Sequence, residues 1–213
     1  MNRIVRRTLF ALLFVAASIA AAQVGATGAS HYVAVDLSEQ FNNDGISWDS
    51  DPLDGDLDFN RVSLPAEQVP VSGKVVALRD AYFVFPPTED GRNNNVLCYN
   101  QLINLPRRRC AALHVLVTSV SGTRKATFTV TYADGSSSIL SQRIPDMTGA
   151  PGFGKYVAVE TDHRHTSEGD VTPGVRLYVF SFNLDPSKEL VSLTLPEMPA
   201  VRIFAITLQP AEQ

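Results

Sequence analysis

Hydrophobic and polar residues alternate with a period of two from residue 31 onward. This alternation is typical of β-strands, whose successive side chains point to opposite faces of a sheet. The clearest example is residues 125–132, where Ala126, Phe128, Val130 and Tyr132 alternate with lysine and threonine. No long stretch places apolar side chains at helical spacing, so the sequence predicts an all-β chain.

The alternation predicts about ten short strands joined by turns. They lie at residues 31–37, 81–85, 96–105, 113–119, 125–132, 138–144, 156–160, 176–183, 190–195 and 201–208. Asp134-Gly135 marks a hairpin between two of them, because glycine accepts the positive φ of a tight turn. Residues 201–208 are apolar on both faces and indicate a central strand covered on both sides. Short strands without helices predict an antiparallel two-sheet β-sandwich of the jelly-roll type.

The first 22 residues have the pattern of a secretory signal peptide. Arg3, Arg6 and Arg7 precede an apolar run at residues 9–22, which ends in three alanines suited to cleavage. This run is shorter than the roughly 20 residues of a membrane-spanning helix. We therefore expect a secreted, periplasmic or extracellular protein with no stable membrane insertion; a retained anchor is the alternative. The adjacent arginines leave general and twin-arginine export both open.

The sequence thus divides into a signal peptide at 1–22, a linker at 23–30, a β-sandwich domain at 31–209 and a tail at 210–213. The signal peptide holds three of the 18 basic residues and none of the 22 acidic ones, so the mature chain has a net charge of −7. Because phosphate binding requires a basic face, nucleic acid is not expected as a partner.

Cys98 and Cys110 are the two cysteines of the chain. Both lie in the part predicted to be exported, where an oxidising environment favours a disulfide between them. Two buried free thiols are the alternative, because Cys98 sits in an apolar, strand-like run.

The segment between residues 37 and 70 is rich in Asp, Asn, Gly and Pro, and it is long for a loop inside a compact domain. Its carboxylates, chiefly Asp44, Asp54, Asp56 and Asp58, would supply the oxygen ligands that calcium prefers. The spacing does not match an EF-hand. The alternative is that these aspartates form Asx turns that cap strands and keep the loop solvated.

Trp48 is the single tryptophan and lies inside this polar segment. Its flat apolar face would stack on a pyranose ring while Asp49 and Asp51 accept hydrogen bonds from sugar hydroxyls. The alternative is a loop anchor that tucks the indole against the sandwich.

His163 and His165 make the strongest case for an enzyme. Histidines two apart in an extended segment face the same way and would share a transition metal or act as acid and base beside Glu160 or Asp162. A third metal ligand is not identifiable from the sequence, and a loop of mixed charge explains the same residues. A serine hydrolase is not supported, because the chain has no Gly-x-Ser-x-Gly motif.

Several turn and strand segments together match a known pattern. They are residues 41–47 (FNNDGIS), 54–58 (DGDLD), 65–67 (PAE), 93–96 (NNNV), 127–136 (TFTVTYADGS) and 190–208. With these segments the chain resembles the galactose-binding-domain-like β-sandwich modules that bacteria attach to secreted glycoside hydrolases. The resemblance implies carbohydrate binding without catalysis, and similar sandwiches often hold a structural calcium. We expect no catalytic domain to accompany the module.

The sequence therefore predicts a secreted, non-catalytic carbohydrate-binding β-sandwich. The expected ligand surface contains Trp48, Asp49 and Asp51, with Asn93, Asn94 and Tyr99 as further contacts. The alternatives are a structural or assembly subunit of the cell surface, which would oligomerise, and a small secreted glycan-active enzyme.

Overall fold

The computed structural model describes residues 31–212. The predicted signal peptide and the 23–30 linker lie outside these residues. The described chain contains fourteen strands and two single-turn 3₁₀ helices. The strands are β1 Val33–Val35, β2 Ile46–Ser47, β3 Leu64–Pro65, β4 Val75–Leu78, β5 Ala81–Val84, β6 Val96–Tyr99, β7 Leu102–Asn104, β8 Cys110–Ser119, β9 Arg124–Tyr132, β10 Ser137–Ile144, β11 Val157–Glu160, β12 Arg176–Asn183, β13 Leu190–Thr194 and β14 Glu197–Pro210. The 3₁₀ helices are Ala66–Gln68 and Gly154–Tyr156.

Two antiparallel sheets form the sandwich. The larger sheet has six strands in the order β1-β14-β8-β12-β11, with β6 also paired to β14. The smaller sheet has four strands in the order β10-β9-β13-β7. The prediction of an all-β, two-sheet sandwich is confirmed.

The first core lies between the two sheets. Alternate residues of β9 that were predicted to face inward, including Phe128 and Val130, are fully buried there against side chains of β8 and β14. The β9–β10 hairpin turns at Gly135, whose φ of 82° is the left-handed conformation that the Asp-Gly pair predicted.

A second core covers the opposite face of the six-stranded sheet. It packs Leu116, Val179 and Phe204 of that sheet against a covering layer built from the 46–64 segment and the β4–β5 hairpin. This layer explains why β14 is apolar on both faces. The strand lies between two cores, as the sequence predicted.

One predicted strand is two strands in the structure. Residues 96–105 divide into β6, which joins the larger sheet, and β7, which joins the smaller one. The chain changes direction at Asn100, which has a φ of 63°. The last strand also runs to Pro210, one residue past the predicted domain end.

The predicted Cys98–Cys110 disulfide is corrected by the structure, because both cysteines are free and buried. Cys98 pairs with Met198 and Cys110 with Pro210, near opposite ends of β14. A strand rises about 3.3 Å per residue, so these positions are much farther apart than the roughly 7 Å that a disulfide spans.

Among the described residues, no helix is both long and apolar enough to cross a bilayer.

Candidate functional site

Two loops that are distant in sequence meet at one edge of the covering layer. The short strand β2 pairs in parallel with β3, and Ser63, just before β3, forms a two-way backbone bridge with His165. Each of these two residues donates its N–H to the carbonyl of the other at 3.2 Å. This pairing brings Ser47, Trp48 and Asp49 beside the 163–170 loop.

His165 is the buried centre of this edge, with 1% of its surface exposed. Its Nδ1 lies 2.8 Å from Ser47 Oγ, which in turn lies 2.5 Å from Ser63 Oγ. Its Nε2 points outward and lies 3.1 Å from Asp49 Oδ1. The imidazole is therefore held from inside by hydroxyls and meets a carboxylate at the surface.

This Ser-His-Asp chain is not arranged for nucleophilic catalysis. Ser47 is fully buried, whereas 65% of the Asp49 side chain is exposed. A substrate that approaches from solvent would meet the carboxylate and not the hydroxyl, which is the reverse of a catalytic triad. The finding agrees with the absence of a serine-hydrolase motif in the sequence.

His163 lies beside His165, with ring centroids 5.5 Å apart. Its Nδ1 is 3.2 Å from Gln68 Nε2, and Gln68 Oε1 accepts the backbone N–H of Asp162 at 2.6 Å. Its Nε2 is buried without a hydrogen-bond partner and lies 3.6 Å from Asp170 Oδ2. The two histidines and the carboxylates of Asp49 and Asp170 form what we call the His-Asp cluster.

Trp48 is half-buried next to this cluster. Its indole N–H donates to the carbonyl of Thr88 at 2.7 Å, and its ring packs against the second core. The pKa of the Asp90 carboxylate is raised by desolvation and by the nearby Asp54 and Asp51. The ring is thus fixed in orientation within a strongly acidic surface.

The four aspartates predicted to bind calcium all act as acceptors in hydrogen bonds within the protein. Asp56 Oδ1 accepts the N–H of Arg61, and Asp58 Oδ1 accepts those of Asn60 and Val62. The bond from the Asn60 N–H to Asp58, two residues earlier, matches the Asx-turn alternative. Calcium at this loop stays a prediction.

Asp44 and Asp54 accept hydrogen bonds from residues outside the 37–70 segment. Asp44 Oδ1 accepts from Asn94 Nδ2 at 2.5 Å, while Asp54 Oδ2 accepts from the N–H of Gly91 at the same distance. A Cβ on Gly55 would come within 2.9 Å of the Ile46 carbonyl, so glycine allows the loop to fold back on β2.

The other predicted ligand contacts, Asn93, Asn94 and Tyr99, have different roles from that of Trp48. Asn94 is fully buried, and its amide joins Gly45, Asp44 and Asn95, so it holds the loop together from inside. Asn93 is exposed and donates to the Phe41 carbonyl. Tyr99 is 54% exposed at the end of β6, opposite Glu197.

The structure brings together Trp48, Asp49, His163 and His165, which the sequence had indicated separately. Ser47, Gln68 and Asp170 were not predicted as the partners of these residues. The available signal was weak: Ser47 and Asp49 flank Trp48, and Asp170 follows the histidines closely. Nothing in the sequence indicated Gln68.

The antiparallel two-sheet architecture, with a polar site built by loops at its edge, defines the chain as a β-sandwich domain protein. It belongs to the AziU2-like beta-sandwich domain family, whose model matches residues 30–212. No curated protein matches the chain.

Proposed function

We propose that this protein is a secreted, non-catalytic carbohydrate-binding β-sandwich whose ligand surface is the edge around Trp48. The β-sandwich fold of the family supports the proposal, and so does the resemblance of the sequence to galactose-binding-domain-like modules. The observation that carries it is the partly buried indole held in one orientation among exposed carboxylates.

The fixed indole suits sugar stacking for an energetic reason. An aromatic platform that is already ordered loses little conformational entropy when a ligand binds. The hydrogen bond from Trp48 to Thr88 and the packing against the second core provide this order. The apolar face stacks on the C–H face of a pyranose, and flanking groups select the ligand through its hydroxyls.

The charge around the indole narrows the ligand class. Asp49 and Asp51 are exposed beside Trp48, and Asp90 is exposed as well. These groups accept hydrogen bonds from hydroxyls and repel anions. The proposal therefore specifies neutral or amino sugars and excludes uronic-acid or sulfated glycans.

A glycan array with the mature chain, residues 23–213, tests the proposal. We expect retention on a neutral or amino-sugar polysaccharide, reduced at least about tenfold in W48A because a central aromatic carries much of the binding energy. W48F keeps an aromatic face and most of the packing, so it should retain part of the affinity. F59A removes an aromatic side chain that is 61% exposed elsewhere and serves as the matched control.

W48A also removes a half-buried side chain, so its melting temperature must be measured and binding compared well below it. Full binding by folded W48A would contradict the proposed surface. A chain that ignores every glycan but elutes as an oligomer in size-exclusion chromatography would favour the assembly-subunit alternative.

A further inference from the structure

We propose that Asp49, His163 and His165 form a binding site for a divalent transition metal ion of the zinc class. The proposal does not depend on carbohydrate binding. It rests on one donor atom from each residue, and these three atoms all lie within 4.8 Å of one another. In the described part of the chain, this is the one group of three or more His, Cys, Asp or Glu residues with that property.

The donor set selects the metal. Two imidazole nitrogens and a carboxylate oxygen suit zinc, cobalt, nickel or copper, whereas calcium and magnesium prefer oxygen ligands. Donor atoms around tetrahedral zinc lie about 3.3 Å apart, and Asp49 Oδ1 and His165 Nε2 are already 3.1 Å apart. The remaining approach is that of His163 to these two atoms, by at most about 1.5 Å from the 4.8 Å limit. The Asp49 side chain is 65% exposed, so it has room to adjust its position during this approach.

His165 is prepared as a ligand by its inner hydrogen bonds. With Nδ1 protonated, it donates to Ser47 Oγ and leaves the Nε2 lone pair aimed at the surface. Ser47 Oγ can then donate to the Pro52 carbonyl at 3.2 Å and accept from Ser63 Oγ. Histidine ligands in metal sites commonly use their second nitrogen in this way, which fixes both tautomer and ring orientation.

His163 offers a buried Nε2 that has no hydrogen-bond partner. Its Nδ1 faces the Gln68 amide nitrogen, because Gln68 Oε1 is occupied by the N–H of Asp162. Metal binding through Nε2 places the proton of a neutral imidazole on Nδ1, where it opposes the amide N–H₂. Gln68 therefore limits the affinity of the site, and a carboxylate at this position would relieve the conflict.

Asp170 lies on the rim and completes the charge balance. Its two carboxylate oxygens are 3.6 Å from His163 Nε2 and 3.9 Å from His165 Nε2. Two carboxylates and two neutral imidazoles neutralise a divalent cation. Three protein ligands leave a coordination position that Asp170, water or a solvent-borne ligand can occupy.

Isothermal titration of the metal-free mature protein with zinc chloride at pH 7.5 tests the site. We expect one equivalent of zinc to bind, and cobalt to give the visible absorption of a low-symmetry, nitrogen-and-oxygen-ligated ion. D49N and H163A should each weaken zinc binding at least about tenfold, because even indirect partners of a metal commonly contribute that much. H31A and D51N change an exposed histidine and a neighbouring exposed carboxylate and should bind as the parent does.

The zinc affinity of the Q68E variant would not rise if the cluster had only a structural role. Its carboxylate can accept both the Asp162 N–H and a protonated Nδ1 of His163, so zinc affinity should rise about three- to tenfold. Near-UV circular dichroism of every variant checks the fold. The proposal is overturned by no zinc binding to the folded parent, by equal losses in H31A and D51N, or by unchanged or weaker binding in Q68E.

Discussion

At the residue scale, Asp44 shows how the loop stores a pH-sensitive charge. Its Oδ1 accepts the backbone N–H of Ile46 and the amide of Asn94, while its Oδ2 is buried without a partner. Burial raises the pKa of Asp44 to about 6, and the nearby Asp54 adds to the rise. The native state therefore binds this proton more tightly than the unfolded chain does.

This raised pKa predicts that D44N stabilises the protein at neutral pH. The protonated Asp44 stabilises the fold fully below its unfolded pKa of 3.8, and this contribution is lost as the pH rises through about 6. The difference corresponds to roughly 3 kcal/mol, which solvent screening at a half-buried site reduces to about 1–2 kcal/mol. Urea unfolding at pH 4 and pH 7.5 should show D44N equal to the parent at the lower pH and more stable at the higher one.

D51N is the matched control, since Asp51 is exposed in the same loop. If the free energies of unfolding of D44N and of the parent changed with pH in the same way, Asp44 would not be the group responsible for the pH dependence.

The chemistry of the site residues was visible in the sequence, but their proximity was not. A lone tryptophan beside Asp49 and a pair of histidines two apart each indicated a site. Asp49 and His165 are separated by 116 positions, and long-range contacts such as the backbone bridge between Ser63 and His165 bring them together. Likewise, Asn94 looked like an exposed ligand contact because asparagine is usually polar surface, yet its amide serves the interior.

At the element scale, the alternation of residues 96–105 wrongly predicted one strand where the structure has β6 and β7. Residues 96–105 alternate well enough to predict one strand. A single left-handed residue, Asn100, nevertheless sends the two halves to different sheets, with its N–H donating to the Pro196 carbonyl at 3.1 Å. Asparagine tolerates this conformation better than most residues, but it also occurs in ordinary strands, so the signal was ambiguous.

A β-branched residue at position 100 should therefore destabilise the sandwich. The side chain is exposed, so N100V tests the backbone conformation with little effect on packing. We expect a loss of about 1–2 kcal/mol in the free energy of unfolding for N100V and a change within about 0.5 kcal/mol for N100G. Chemical denaturation measures both; equal stability of N100V and N100G would contradict the assignment of strain to this residue.

At the scale of the whole molecule, the two sheets and the doubly covered last strand followed from periodicity, while the covering layer did not. The 37–70 segment lacks a regular period because its buried residues, such as Leu57 and Leu64, point inward from turns and two-residue strands. Its composition indicated a solvated loop. The segment also covers the second core, and only its tertiary contacts reveal this role.

The two cysteines should report on global unfolding. Burial raises the pKa of Cys98 to about 12 and that of Cys110 to about 11, so neither forms a reactive thiolate at neutral pH. We expect mass spectrometry to find no alkylation of the native protein and two modified thiols after unfolding without reductant. If the unfolded protein could be alkylated only after reduction, Cys98 and Cys110 would form a disulfide. That result would contradict the register of β14.

The position of β14 has a consequence for how the protein is made. Residues 197–210 pair with three other strands and separate the two cores, yet they are synthesised after every other strand. Both cores contain side chains of β14, so both are incomplete until this strand has been translated. We therefore expect the sandwich to complete its folding only after its last described strand has emerged.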